Sequence, residues 1–376
     1  MGASIQRFQH FLNRFPHARL SIHRVMFAET PAFDPHPVYR GGHVQTVMGA
    51  LLPSGVPLTS ARSDLHRVVI PLGGGDQLEG WHAPSQNGRT VLLAHGLGGS
   101  VDSPYLAQAV DTLVRCGCGV LAINQRGSGG PHERTTRPYM TGHTGDLIAA
   151  IRWLRREAPG AQLLAVGFSI SGNTLLKLLG ERCHWAPCDM PDAAMAVAPP
   201  IDLDACSMDL LRPRSRAFDL WILRSCRRWI PTLRGDYRGG VRVEPWASLR
   251  VFDERYITPV WGFGSLSEYY LSASAVHGVA AIETPTLVLH ATDDPVVDAR
   301  HSRQAPWGPG VRVDLVHGGG HLGFLGRDRK GRRSPWLAQA VAHHALTFDV
   351  TGGRYPEGTQ PENVPFEPAE TPCAAP

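Results

Sequence analysis

Lysine is almost absent from this sequence. Of its 37 Lys and Arg residues only Lys177 and Lys330 are lysine, a skew that reads first as coding bias of the source genome and only second as function. An excess of one charge is also lacking. The 37 basic residues against 33 acidic ones leave a net charge of +4, too little to mark a nucleic-acid binder. Seven cysteines (116, 118, 183, 188, 206, 226 and 373) form no regular framework. Cys116 and Cys118 are too close for an ordinary bridge and no C-x-x-C occurs. That excludes a disulfide scaffold and predicts a reducing, cytoplasmic setting. No run of about 18 apolar residues exists, which excludes a membrane-spanning helix. The N-terminus lacks the apolar stretch and small-residue cleavage site of an export signal. Gln6 stands where a myristoylation signal needs Ser or Thr, so no such anchor is expected.

What is present is ample apolar content, 43% over 376 residues, enough for a full core. Apolar runs at 66–71 and 77–83 flank Gly73-Gly74-Gly75-Asp76 and predict a hairpin. The glycine run lacks the spacing and following helix of a phosphate loop. Further strands are predicted at 90–95, 119–124, 163–166, 195–198, 286–291 and 311–316. Helices are predicted at 103–115, 145–157, 173–179 and 336–348. Strands alternating with helices define an α/β class with a mostly parallel sheet covered on both faces.

Three regions interrupt this 61–350 domain or flank it. Residues 1–60 form an N-terminal arm in which Phe8, Phe11, Leu12 and Phe15 fall at helical spacing. That pattern predicts a helix packed on the main domain or, as the alternative, resting on a membrane surface. Residues 203–262 interleave Trp221, Ile222, Trp229 and Trp246 with arginines, and 210–234 alone carries seven Arg against Asp219. An insertion after a mid-sheet strand predicts a cap, whose charge is either a solvated face or a means of approaching substrate or membrane. From 351 to 376 proline recurs beside Glu and Gly, and disorder is expected.

The chemistry centres on Gly167-Phe168-Ser169-Ile170-Ser171-Gly172, between a strand pattern and a helix pattern. Strand, sharp turn and helix with serine at the apex describe a nucleophile elbow, whose hydroxyl points out of the sheet. Strand and helix nearly touch there, so small residues are needed two places either side of the serine. Gly167 meets the need; Ser171 stands where glycine is usual.

A serine hydroxyl is a poor nucleophile without a neutral imidazole to take its proton and an acid to orient that imidazole. After later strands stand Asp293-Asp294-Pro295 and His317-Gly318-Gly319-Gly320-His321, in the Ser, Asp, His order of α/β-hydrolases. The acid is Asp294 or Asp293, with Asp294 the better placed before the proline. The base is His321 or His317, with His321 favoured because three glycines let it reach over the site. A metal held by His317 and His321 would need a helix that those glycines oppose, and no metal or cofactor is expected. Two amides must receive the developing oxyanion. Ile170, at the helix start, and Leu97, in His95-Gly96-Leu97-Gly98, are the candidates. His95 itself reads as a structural hydrogen-bonder.

Together with His43-Val44-Gln45-Thr46, Asn124-Gln125-Arg126-Gly127, Phe252-Asp253 and Tyr269-Tyr270, these motifs resemble the YheT-type α/β-hydrolases over about residues 36–350. Those proteins are bacterial relatives of the eukaryotic abhydrolase-domain lipases. The resemblance implies a serine carboxylester hydrolase for short- or medium-chain esters or monoacylglycerols, with Ser169, Asp294 and His321 as its triad. That family usually has glycine at the position of Ser171. Ser169 argues against dehalogenases and epoxide hydrolases, which would place Asp at the elbow. Acyl transfer to an alcohol uses the same acyl-enzyme, and some relatives then carry an acid where this chain has Gly326. A non-catalytic binding module on the same fold is the third reading.

Overall fold

The structure is a computed structural model and describes residues 27–55, 64–128, 135–227 and 243–348. The arm pattern at Phe8, Phe11, Leu12 and Phe15, the part of the basic insertion that holds Trp229, and the 351–376 tail lie outside the described residues.

Strands β1 (His66–Gly73), β2 (Asp76–Ala83), β3 (Arg89–Ala94), β4 (Gly119–Asn124), β5 (Gln162–Phe168), β6 (Ala193–Val197), β7 (Thr286–Ala291) and β8 (Val311–Val316) build one sheet. Its order is β1-β2-β4-β3-β5-β6-β7-β8. β1 and β2 form the expected hairpin, β2 runs antiparallel to β4, and every pairing from β4 to β8 is parallel.

The apolar runs are continuous because both faces are covered. Val91 and Leu93 of β3, Val120 and Ala122 of β4, and Leu164, Val166 and Phe168 of β5 point to one face. There they meet Leu106, Val110 and Leu113 of helix Pro104–Arg115 and Leu337 and Val341 of helix Trp336–Thr347. The alternate residues Leu92, Leu121, Ile123, Leu163 and Ala165 meet Ile151, Leu154, Leu176 and Leu179 of helices Gly145–Glu157 and Ile170–Gly180. Each strand therefore contributes to two cores at a period of two residues.

The insertion after β6 builds a third apolar cluster. Helices Leu203–Leu210, Arg216–Cys226 and Leu249–Phe252 contribute Leu203, Leu210, Phe218, Leu223 and Phe252. The cluster continues beyond residue 262 into helix Leu266–Ala273, through Leu266, Tyr269 and Tyr270. It also takes in Ile170 below and Val296 and Val297 after β7. The cap thus sits over the C-terminal ends of the parallel strands, where open α/β sheets place their sites. Among the described residues no helix is long and apolar enough to cross a membrane.

Arg126, from the loop after β4, locks the hairpin edge to the helical layer. Its Nη1 donates to Asp76 (2.9 Å), while Nε and Nη2 form a fork on Asp146 (2.9 and 2.5 Å). All three side chains are buried. Removing one partner of a buried ionic group strands the others without water. Arg126→Met is expected to lower folding stability by about 3–5 kcal/mol, read as a fall in the urea unfolding midpoint. A change under ~1 kcal/mol would mean that the cluster contributes nothing to stability.

Candidate active site

β5 ends at Phe168 and helix Ile170–Gly180 starts two residues later, so Ser169 makes the whole turn. Its backbone is at φ 53°, ψ −118°, a region costing a non-glycine residue on the order of 1–3 kcal/mol. The turn is held from both sides. The Ser169 N–H donates to Val197 O of β6 at 2.7 Å. Gly167 is pressed so close to the helix that a Cβ there would lie 2.5 Å from the Ser171 carbonyl oxygen.

Ser171 does not intrude at this contact, because its side chain points into a polar niche beneath the turn. Its Oγ donates to His95 O at 2.6 Å and accepts from Gln125 Nε2. Gln125 Nε2 also donates to His95 O at 2.9 Å. His95 is fully buried. Its Nε2 accepts from the Gln125 N–H at 3.1 Å, which leaves the proton on Nδ1, facing Gly96 O at 2.8 Å. Burial pushes its pKa down to about 4, against the opposing effect of the Gly96 carbonyl. His95 is thus a neutral structural strut, remote from proton transfer.

Ser169 Oγ lies 2.9 Å from His321 Nε2, and His321 Nδ1 lies 2.8 Å from Asp294 Oδ2. A carboxylate can only accept, so Nδ1 carries the proton and Nε2 is free to accept from the serine. Asp294 Oδ1 takes the N–H groups of Val296 and Val297 at 2.8 and 2.9 Å. Burial alone would push the Asp294 carboxyl up. The His321 and His290 imidazoles and their hydrogen bonds hold it well below the usual carboxylate range. The rivals fall elsewhere: His317 contacts Thr292 Oγ1 at 3.1 Å, and Asp293 Oδ1 accepts from the Gly320 N–H at 3.0 Å.

The glycines before His321 do not give a swinging arm. Helix Gly42–Leu51 packs behind them, so tightly that a Cβ on Gly320 would sit 2.4 Å from Gly42 O. Thr46 Oγ1 accepts the His321 N–H at 2.8 Å and donates to Gly42 O at 2.6 Å. Gln45 brackets Leu325, donating to its carbonyl at 3.2 Å and accepting its N–H at 2.7 Å. On the other side His43 Nε2 donates to Arg214 O of the cap at 3.1 Å. The motif His43-Val44-Gln45-Thr46, silent by itself in the sequence, ties the histidine loop to the cap.

One further residue went unrecognised. His290 is fully buried in β7, its Nε2 donating to Val297 O at 3.0 Å and lying 3.4 Å from Asp294 Oδ2. Ser302 Oγ donates to its Nδ1 at 2.8 Å. The signal for it was a histidine inside an otherwise apolar strand, four residues before the acid.

Leu97 and Ile170 line the same cleft as Ser169. Ile170 is the first residue of its helix, where N–H groups have no intrahelical partner and the dipole favours negative charge. The cleft encloses ≈ 720 Å³, counting its open mouth, and is walled mainly by apolar residues: Leu203, Leu210, Ile222 and Leu249 of the cap, and Val296 after β7. Among the described residues no group of His, Cys, Asp and Glu is placed to hold a metal ion.

Fold and site together define a hydrolase of the α/β type. The chain belongs to the α/β-hydrolase fold family, whose model matches residues 89–328, and within it to the YheT-type proteins. YheT of Escherichia coli (strain K12) is 30% identical over 310 residues, covering 80% of this chain and 89% of that protein. Phospholipase ABHD3 of Mus musculus is 30% identical over 63% of this chain, which spans 58% of its length. The medium-chain fatty acid ethyl ester synthase/esterase 2 of Saccharomyces cerevisiae is 28% identical over 69% of this chain and 62% of its own.

The niche under the turn sets an expectation for Ser171. Ser171→Gly removes the hydroxyl that bonds His95 and Gln125 and is expected to cost about 1–2 kcal/mol of stability. Turnover should change by less than about threefold, since the turn itself is unaltered. Ser171→Val puts a branched apolar group against that carbonyl and amide and is expected to fold poorly. Urea unfolding and hydrolase turnover on the two variants check both. A several-fold more active glycine variant would show that the hydroxyl distorts the turn.

Proposed function

We propose that this chain is a serine carboxylester hydrolase acting through an acyl-enzyme on short- to medium-chain esters or monoacylglycerol-like lipids. The observation that carries this reading is the unbroken contact from Ser169 Oγ through His321 to Asp294 at the floor of a mainly apolar cleft. In this mechanism His321 Nε2 takes the Ser169 proton as Oγ attacks the ester carbonyl. The Leu97 and Ile170 amides receive the oxyanion. Nε2 then returns the proton to the departing alcohol, and water repeats the sequence to release the acid. Asp294 stays ionised throughout and steadies the imidazolium.

The names of relatives support ester chemistry, including phospholipase and ethyl ester synthase/esterase. The word synthase favours a second reading, interception of the acyl-enzyme by an alcohol in place of water. Exposed Met208, Trp221 and Trp246 on the cap, among its arginines, support approach to a lipid surface. The unpaired cysteines Cys116, Cys118, Cys183, Cys188, Cys206 and Cys226 support a cytoplasmic setting.

Purified protein should hydrolyse a p-nitrophenyl ester and be labelled by a fluorophosphonate. Ser169→Ala is expected to abolish both, with turnover down on the order of 10⁴-fold or more. Asp294→Asn leaves the imidazole in the wrong tautomer and should cost about 10³–10⁴ in turnover. Asp293→Asn keeps an acceptor for the Gly320 N–H and should lose no more than about fivefold, the worth of one ordinary hydrogen bond. A Ser169→Ala variant retaining a tenth of the activity would sink the proposal.

A further inference from the structure

The cleft has one strongly polar feature that the ester chemistry leaves unused. Helix Leu249–Phe252 runs into a π-turn, Asp253–Ile257, closed by the Thr258 N–H on Asp253 O. Such single wide turns insert a residue into a helix and re-aim the side chains around it. Here the turn sets Asp253 in the wall of the cleft that also contains Ser169. Tyr270, from helix Leu266–Ala273, donates its hydroxyl to Asp253 Oδ2 at 2.8 Å. Among the described residues no group donates to Oδ1.

The neighbours of this carboxyl are mostly apolar: Leu249, Phe252 and Ile257 line the cleft beside it. Its charge acts on Tyr269, Tyr270 and the Cys226 thiol, and the Arg250 charge acts on it. Arg250 is already engaged, its Nη1 donating to Asp204 Oδ1 at 2.5 Å and to Ser207 Oγ at 2.8 Å. Burial pushes the Asp253 carboxyl up to about 7, against the Tyr270 hydrogen bond and the Arg250 charge. A carboxyl placed in a mainly apolar substrate cleft is costly unless its open oxygen receives a donor. A neutral hydroxyl meets that need with less desolvation than a cation entering the same apolar walls.

We propose that Asp253, held by Tyr270, is a specificity subsite that accepts a hydrogen bond from a hydroxyl of the substrate, away from the scissile ester. The subsite rests on the ester-hydrolase reading of Ser169 and narrows its substrates to hydroxyl-bearing esters. The hydroxyl sits either on the alcohol part, as in a monoacylglycerol, or on the acyl chain. Both sources present the same donor to Oδ1. Tyr270 acts as a positioning residue, holding Oδ2 so that Oδ1 faces the cleft.

The test compares kcat/KM for three esters of one chain length: ethyl octanoate, monooctanoylglycerol, and ethyl octanoate carrying a terminal chain hydroxyl. The wild-type protein is expected to favour one hydroxylated ester over ethyl octanoate by about tenfold or more, and which one identifies the source. A site built around a hydrogen bond discriminates against the analogue lacking it. Asp253→Ala should bring that preference below about twofold. Asp253→Asn, whose amide oxygen still accepts, should keep part of it, and Tyr270→Phe should reduce it.

Thermal unfolding verifies that each variant is folded. If the Asp253 variants are not, the wild-type preference and Tyr270→Phe decide. Ser169-dependent cleavage of all three esters without preference overturns the subsite and leaves the hydrolase reading standing. The same holds if Asp253→Ala scales every ester by one factor. Absence of any Ser169-dependent cleavage overturns the hydrolase reading, and the subsite with it.

Discussion

The sharp turn at Ser169 is the constraint from which the rest of the site follows. A serine at φ 53° persists only where its surroundings leave the backbone no alternative. β6 supplies the acceptor for its N–H, Gly167 allows strand and helix to close on each other, and the niche of His95, Gln125 and Ser171 fixes the helix start from below. Among the described residues the other non-glycine residues at positive φ are Ala198, Leu322 and Phe324. They follow β6 and the site histidine, so backbone strain among the described residues is concentrated around one cleft.

The histidine side is held by a different kind of contact. Its loop is rich in glycine and would be loose alone. Helix Gly42–Leu51 confines it through Thr46 and Gln45, which bond the loop backbone, and through close backbone packing at Gly320. Because His43 also bonds the cap, a displacement of the cap bears on the same helix that positions His321. The segment before the sheet is therefore part of the site's framework, although it contributes no group to the Ser169–His321–Asp294 contact.

Much of this was legible because it is local or periodic. The apolar runs gave the parallel strands, since both sheet faces are covered. The serine, acid and histidine each stand directly after a strand in the expected order, and the structure brings Ser169, Asp294 and His321 into hydrogen-bond contact. What stayed illegible depends on partners far away in the chain. Thr46 acts on His321 from 275 positions upstream, and nothing near it announces that. Asp293 and Asp294 differ by one residue and reach different partners only because the turn before Pro295 aims them apart. The helical insertion continues to Ala273 because Tyr269 and Tyr270 pack in the cap cluster, which spacing alone does not reveal.

Asp294, buried behind His321, and Asp253, in the cleft wall, show how environment divides one chemistry into two behaviours. Asp294 is surrounded by donors: two backbone N–H groups and the His321 ring, with His290 behind. Such bonds are stronger to the charged form, and the His321 and His290 rings outweigh its desolvation and keep it ionised. Asp253 has one tyrosine donor and apolar neighbours, and burial dominates. A permanently charged group suits the orientation of an imidazole that, in the proposed mechanism, becomes cationic. A carboxyl with an unclaimed oxygen suits reversible contact with a neutral donor. The count of donors around each carboxyl, more than its depth, separates the two.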